Sequence, residues 1–424
     1  MNPLFIAFLL AAADPAMFRG GPSHSGVYSS PAGISTVKWK FKTGGKVFSS
    51  PAVADGVVYV GSSDNSLYAL AAADGAVRWK AATGGAVNSS PAVVDGVVFF
   101  TSRDGNLYAV NAADGKLKWT FKTEGERRFT APGIHGANPR TETMPDPYDV
   151  FLSSPAVSGG VVHFGSGDRH VYAVDAATGT LKWKFATGDV VHASPAVGDG
   201  VVYIGSWDRY LYALNAATGV MIWKFQTGDD PEIHNQVGIA SSAAVAGGIV
   251  YFGCRDGHFY AVDAKTGKEK WNIDNHKGWV IASPAVRDGV VYFPTSDGQR
   301  FKAVNAATGT VRFDIGMKAV SFSSPAITGK LAYFGTSDGW LHAVDITSGK
   351  LVAEFQTEGS KENAPKWIGP DGRIAGTVYP DATLDGMIIG LDRMFSLGSI
   401  LSSPVTADGV LFVGSTDGHV YALN

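Results

Sequence analysis

A unit of about 40 residues is rewritten along this chain, and the repetition constrains the fold more than any single residue does. Its clearest copy is Asp168–Trp183: a turn Asp opens an alternating apolar run, Ala-Ala-Thr-Gly follows, and a second run ends on Trp. The pattern recurs as Asp208–Trp223 and Asp256–Trp271, and with Asp-Gly for Thr-Gly as Asp64–Trp79 and Asp104–Trp119. Weaker copies end on Phe313 and Ala353. Ahead of each copy stands Ser-Ser-Pro-Ala-Val or a variant. Pro51, Pro91, Pro155, Pro195, Pro284, Pro325 and Pro404 mark it, and Ala243 holds the place of one further proline. These positions imply eight units.

Each unit reads as four short strands: A (Ser-Ser-Pro-Ala-Val), B (Val-Val-Tyr-Val-Gly-Ser), C (Leu-Tyr-Ala-Leu) and D (Leu-Lys-Trp-Lys-Phe). Alternation of period two with Asp-Gly turns predicts antiparallel hairpins. Small residues suit A to the crowded axis, and its proline fits an edge that needs no complete ladder. The Trp of D is expected to pack between neighbouring blades near the Thr-Gly turn. Val37–Phe41 is a D strand with no unit before it, whereas the last unit stops at Leu423 with no Trp run after it. The two ends are halves of one unit. The expected fold is therefore all-β, an eight-bladed β-propeller of four-stranded antiparallel blades over residues 36–424, its N-terminal strand closing the last blade.

Insertions at about 124–150, 229–238 and 358–399 lengthen D–A connections, which share one end of the channel with the B–C turns. In the last insertion Leu384, Met387, Ile388, Leu391 and Phe395 fall at helical spacing and read as a lid or plug, weakened by Gly386 and Gly390. Residues 14–35 form a Gly/Pro-rich approach segment. Residues 1–13 read as a secretory leader, with Ala11-Ala12-Ala13 before Asp14 and an apolar run short of the ~20 residues that span a bilayer. No Lys or Arg precedes that run, so a buried N-terminal strand is the other reading. Export predicts a periplasmic or secreted protein with no membrane span, and a closed ring predicts a monomer. A net charge of −3 without any Lys/Arg run argues against a nucleic-acid surface, and the single Cys254 excludes an internal disulfide framework. No Ser/His/Asp nucleophile motif, P-loop or dinucleotide fingerprint appears.

The Ala-Ala-Thr-Gly-x-x-x-Trp stretches closing at Trp183 and Trp223, with Asp263–Trp271, resemble the tryptophan-docking repeat of quinoprotein-type eight-bladed propellers. That class includes pyrroloquinoline-quinone (PQQ) dehydrogenases and BamB-type outer-membrane assembly proteins. The resemblance covers essentially residues 36–424 and speaks to fold, since the repeat is a packing motif. A PQQ enzyme of this family implies a Ca²⁺ held by acid and Asn ligands, an Asp base, an Arg near the quinone, a Trp floor and often adjacent cysteines. Glu232, Asn235, Asp208, Arg209 and Trp207 match in kind, but none lies in a matching motif and the cysteine pair is absent. BamB proteins resemble lipoproteins anchored through an N-terminal Cys, and no Cys stands near this start.

Differences between blades single out candidate site residues at the decorated mouth. Most B–C turns read Asp-Gly, but two read Asp168-Arg169 and Asp208-Arg209, which puts Arg where φ > 0 costs roughly 1 kcal/mol. Three residues before the blade proline, Asn88 and His192 are polar among apolar counterparts. His234 and Asn235 lie in an acid- and amide-rich loop whose spacing matches no metal motif. Trp207 and Trp279 fall outside the docking positions and are expected either to stack on a ligand or to pack within loops. Arg103, Arg169, Arg209 and Arg255 occupy successive B–C turns and predict an electropositive half of the mouth, unless each neighbouring Asp neutralises its Arg. The function expected is a scaffold that binds a small anionic molecule or a protein partner at this mouth, with no cofactor and no metal. The alternatives are a PQQ- and Ca²⁺-dependent alcohol or sugar oxidoreductase, or a cofactor-free enzyme using the same mouth.

Overall fold

A computed structural model describes residues 16–133, 136–138, 143–229, 237–276 and 278–424. The leader expected over 1–13 lies outside them. The described residues build eight four-stranded antiparallel blades around one axis. The first blade runs Ala52–Ala54, Val57–Ser62, Ser66–Ala71 and Val77–Ala82 from the axis outward. The last comprises Val405–Ala407, Val410–Gly414 and His419–Leu423, and Val37–Lys42 pairs outside His419–Leu423 to supply its missing D strand. Strands B and C are almost wholly buried because their apolar runs face a neighbouring blade on each side, as in Val57–Ser62 and Ser66–Ala71. D strands alternate toward solvent, with only the Trp or its equivalent turned in, as in Leu181–Ala186.

That Trp is the joint between blades. The indole of Trp39 donates to the Ala72 carbonyl at 3.0 Å, Trp79 to Ala112 at 2.9 Å, and Trp183 to Ala216 at 2.9 Å. Each ring lies against the glycine of the following turn. Gly75 adopts φ +76°, and a Cβ there would meet the Trp39 ring at 2.7 Å, so the turn admits only glycine. A buried indole contributes at most about 4–6 kcal/mol of transfer free energy. The turn Asp is a second joint: Asp208 accepts Gly188 N–H of the preceding connection at 2.6 Å and the Tyr212 hydroxyl at 2.7 Å.

Closure is visible at the axis. The serine before each blade proline, or before Ala243, accepts the main-chain N–H of its counterpart in the preceding blade. Ser50 N–H reaches Ser90 Oγ at 3.0 Å, the relay continues through Ser154, Ser194, Ser242, Ser283 and Ser324, and Ser403 N–H returns to Ser50 Oγ at 2.8 Å. Only a serine is small enough and carries the acceptor needed where eight strands converge.

The approach segment is built into the fold. It crosses the lower end of the channel, opposite the B–C turns, and its carbonyls meet N–H groups of strand A: Ala16 with Val93, Pro22 with Val197, Ser23 with Val245, Ser25 with Val286 and Gly26 with Ile327. Arg19, 1% exposed, donates to the carbonyls of Pro325 (2.7 Å) and Pro284 (2.8 Å). Phe18 rises into the axial cavity.

Candidate functional site

At the upper end the D–A connections form a cap. The insertion after Lys122 carries a two-stranded ribbon, Thr130–Pro132 with Thr143–Pro145, and the last insertion carries helices α1 (Glu358–Trp367) and α2 (Leu384–Ser396). Thr383 caps α2 by accepting Gly386 N–H. The expected helix is present, but its buried face is Gly386, Gly390, Leu391, Met394 and Phe395, while Leu384, Met387 and Ile388 are only half-buried. The glycines are contact points: a Cβ on Gly390 would meet the Tyr379 ring at 2.0 Å. Leu391, Met394 and Phe395 pack with Val150 of the other insertion on Phe48 and Leu401 at the mouth. Asn138 N–H donates to Ala382 carbonyl at 2.7 Å, so the two insertions form one cap.

Beneath the cap two side-chain constellations fill the mouth. In the first, His192 is buried with a carboxylate on each ring nitrogen: Nδ1 lies 2.7 Å from Asp149 Oδ1 and Nε2 lies 2.7 Å from Glu126 Oε1. A neutral imidazole has one N–H and one lone pair, so two flanking carboxylates select the imidazolium. Burial alone would depress its pKa, but Asp149 and Glu126 outweigh burial and hold it up to about 9. Burial pushes the Asp149 carboxyl upward, and His192 with Arg103 overrides it, so the net direction is down. Asp149 also accepts Phe129 N–H at 2.7 Å, and Glu126 accepts Gly167 N–H at 2.9 Å. Arg103 donates to the carbonyls of Asp149 and Phe151 and lies 3.5 Å from Glu126. Asn88 completes this side by donating to Val150 carbonyl at 2.8 Å.

The second constellation is a stack. Phe129 lies parallel to Trp207 at 4.3 Å, and the Arg255 guanidinium lies 4.6 Å from the Trp207 ring and 3.7 Å from that of Trp279. Tyr148 then meets Trp279 edge-on at 5.8 Å. Asp146 closes the stack with an ion pair to Arg255 Nη1 at 2.6 Å, both side chains being at most 1% exposed. Cation–π contacts are strongest when desolvated in this way.

These contacts redistribute the expected site residues. Trp207 and Trp279 present their faces to Arg255, Phe129 and Tyr148 from buried positions. Asp168 and Asp208 are joints between blades, Asp168 accepting Glu124 N–H and the Tyr172 hydroxyl. Arg169 and Arg209 keep the left-handed turn at φ +72° and +73°; Arg169 is exposed and Arg209 pairs with Asp229 at 2.8 Å. His234 and Asn235 lie outside the described residues. Three of the four turn arginines meet a carboxylate: Glu126, Asp229 and Asp146 face Arg103, Arg209 and Arg255. The sequence missed Glu126, Asp146, Asp149 and Phe129. Their one signal was the acid content of the first insertion, which has no periodicity to say where each carboxylate points.

With this geometry in place, comparison with known proteins is informative. The family described as outer membrane protein assembly factor BamB matches residues 30–137, 137–274 and 234–375. No curated protein sequence matches the chain. Among solved structures, BamB from Moraxella catarrhalis superposes with a TM-score of 0.64 at 16% identity, over 91% of this chain and 96% of that one. A europium-containing methanol dehydrogenase gives 0.70 at 16% identity, over 96% and 91%. The quinohemoprotein alcohol dehydrogenase ADHIIG from Pseudomonas putida HK5 gives 0.69 at 15% identity, over 97% and 80%. At these identities the structural likeness speaks for the fold alone.

Proposed function

The chain belongs to the family described as outer membrane protein assembly factor BamB, and from that premise we propose that it is an exported, cofactor-free scaffold that binds a protein partner on the outer face of its cap. The periplasm or the cell exterior is the compartment this reading assigns. The observation that supports it is the filling of the mouth. PQQ is a flat, multiply charged ring system and needs an open slot between apolar faces. Here the slot between Trp207 and Trp279 holds Arg255. The axial cavity leaves about 40 Å³ for the centres of water molecules, against roughly 300–1,000 Å³ for small-molecule pockets. No group of three or more His, Cys, Asp or Glu side chains is placed to hold a metal ion among the described residues. Among the described residues, the guanidinium seated between the two indoles supports the cofactor-free reading.

A mouth packed from within leaves its outer surface for recognition. The cap exposes Ile389 (44%) on α2 and the charged Lys361, Glu362 and Lys366 on α1. No described helix is long and apolar enough to cross a membrane.

The test places a photo-crosslinking residue at position 389 in the native host, and at position 182 on an outer strand as control. A discrete protein adduct from position 389 alone is expected. Identical adducts from both positions, or none from 389, would sink the scaffold reading. A melting shift with PQQ and Ca²⁺ together with dye-linked alcohol oxidation would replace it with the oxidoreductase.

A further inference from the structure

Ring closure joins the first and last units, but each blade still ends on an outer D strand with one side unpaired. Such an edge offers main-chain groups to any strand that fits it. Every D strand carries the same device against that. Its register along strand C slips by one residue, which leaves a bulged residue beside the docking position. Lys182 is bulged between Leu181 and Trp183, and the other seven blades slip at the same place. Six of the eight bulged residues are cations: Lys38, Arg78, Lys118, Lys182, Lys270 and Arg312, all exposed. A bulge and an edge charge both hinder pairing of one sheet with another.

Blades four and seven depart from this pattern, with Ile222 and Val352 at the bulge. In blade seven the departure is short. Lys350 stands two residues ahead, and α1 lies beside the upper part of the strand, with Lys361 Nζ 5.8 Å from the Phe355 ring. In blade four the whole lower part is apolar: Val220 is 65% exposed, Met221 43% and Ile222 49%. The stretch from Asn215 to Trp223 holds no charged residue, whereas its counterpart in every other blade holds at least one. Lys224, the one charge on Met221–Gln226, turns back onto its own blade, 4.1 Å from the Tyr210 ring.

We propose that this edge pairs antiparallel with the same strand of a second copy, making an isologous dimer across blade four. Charge selects this occupant. An antiparallel pair with its twofold at the docking Trp sets the residue before that Trp in one copy against the residue after it in the other. At Trp39, Trp79 and Trp183 this opposes Lys38 to Lys40, Arg78 to Lys80 and Lys182 to Lys184, and like charges directly opposite destabilise. At Trp223 it opposes Ile222 to Lys224, whose ammonium is already engaged, and Met221 to Phe225. Because blade four alone presents a wholly uncharged stretch, two copies satisfy each other and growth stops at two. The patch lies at the opposite end of the blade from the cap, so the pairing leaves α1 and α2 free. Its failure would not bear on the scaffold reading.

The test is analytical ultracentrifugation of the full chain across a concentration series, with hydrogen exchange at both ends of the series. The wild type should pass from monomer to dimer and stop there. Amides of Met221–Gln226 should gain protection as the dimer fills, and those of Leu181–Ala186 should not. Ile222→Lys installs the residue type that six blades carry at this position, so the fold accepts it, and it enters the interface twice. It should weaken association at least about tenfold. Val352→Lys should leave association unchanged. A wild type that stays monomeric throughout overturns the proposal. So does a dimer that Ile222→Lys does not weaken, or that Val352→Lys does. A monomer that cosediments with phosphatidylcholine vesicles, and ceases to with Ile222→Lys, assigns the edge to a lipid surface instead and also overturns it. Growth past the dimer does the same, because the contact would then be open-ended.

Discussion

The two ends of the channel are closed by different chemistry. The upper end is shut by side chains in charged and aromatic pairs: His192 between Asp149 and Glu126, and Arg255 between two indoles with Asp146 at its edge. The lower end is shut by main chain, with carbonyls of residues 16–26 laid against inner-strand N–H groups and Arg19 donating to two carbonyls, with no carboxylate paired to it among the described residues. Main-chain closure depends on the path of one segment, and residue identity matters mainly where that path turns, as at Gly26, where a Cβ would meet the Arg19 guanidinium at 2.0 Å. Side-chain closure depends on identity, because a buried charge is tolerated only while its partner is present. The upper end should therefore be sensitive to single substitutions and the lower end far less so.

The largest expected effect follows directly. His192→Ala leaves Asp149 and Glu126 buried near each other with Arg103 as the one remaining cation placed against them among the described residues, which costs about 3–5 kcal/mol. Urea denaturation of this variant should show that loss. Adding Glu126→Gln should recover part of it, because one of the two carboxylates is then neutral. A loss below ~1 kcal/mol would mean that the cap does not hold the mouth through this histidine.

The next effect sets the two ends against each other through pH. His192 has its pKa raised to about 9 in the fold, above an unfolded value near 6.5. Its contribution is complete below that unfolded value and is lost as pH rises through the folded one, on the order of 3 kcal/mol. His24, at the lower end, is the reverse. Burial holds it neutral, its Nδ1 lies 3.1 Å from the Ala243 carbonyl, and its pKa is lowered to about 3. Its contribution is present above the unfolded value and is lost as pH falls toward 3. Stability measured from pH 4 to 10 should thus decline on both sides, His192→Gln flattening the alkaline limb and His24→Asn easing the acid limb. The acid limb is shared with His163, also lowered to about 4 by burial, so His24→Asn removes only part of it. A variant that flattened the opposite limb would reverse the assignment of charge states.

The same contrast explains what the sequence could disclose. Blade number, strand order and ring closure were legible because Ser-Ser-Pro-Ala-Val and the Trp-ended run carry them at a fixed period. The N-terminal strand was found because Val37–Phe41 lacks a unit before it. The mouth was legible only in part. His192 stood out because Phe48, Leu152 and Ile281 are apolar at its position, yet nothing marked Glu126 and Asp149 as its partners, 66 and 43 residues away. Trp207 and Trp279 were seen to lie outside the docking positions, but their shared partner Arg255 was read as part of an electropositive half-mouth. The lower strap was invisible, because main-chain hydrogen bonds leave almost no trace in residue identity beyond the glycines that let the segment turn.

The smallest expected effect tests the main-chain closure at Arg19. Arg19 is buried, and desolvation lowers its pKa to about 10. Replacing it by Met deletes the hydrogen bonds to Pro325 and Pro284, leaving two carbonyls unmet, and also deletes a buried cation that no carboxylate among the described residues pairs with. The first change destabilises, the second stabilises, and the methionine stem retains most of the packing. The backbone strain at φ +62° is common to both side chains and cancels. The balance is a loss of about 1–2 kcal/mol, smaller than that of His192→Ala. Urea denaturation of Arg19→Met, run beside His192→Ala at pH 7, measures the two together. Should Arg19→Met cost more, the lower end would depend on its charged side chain after all, and the distinction between the ends would fail.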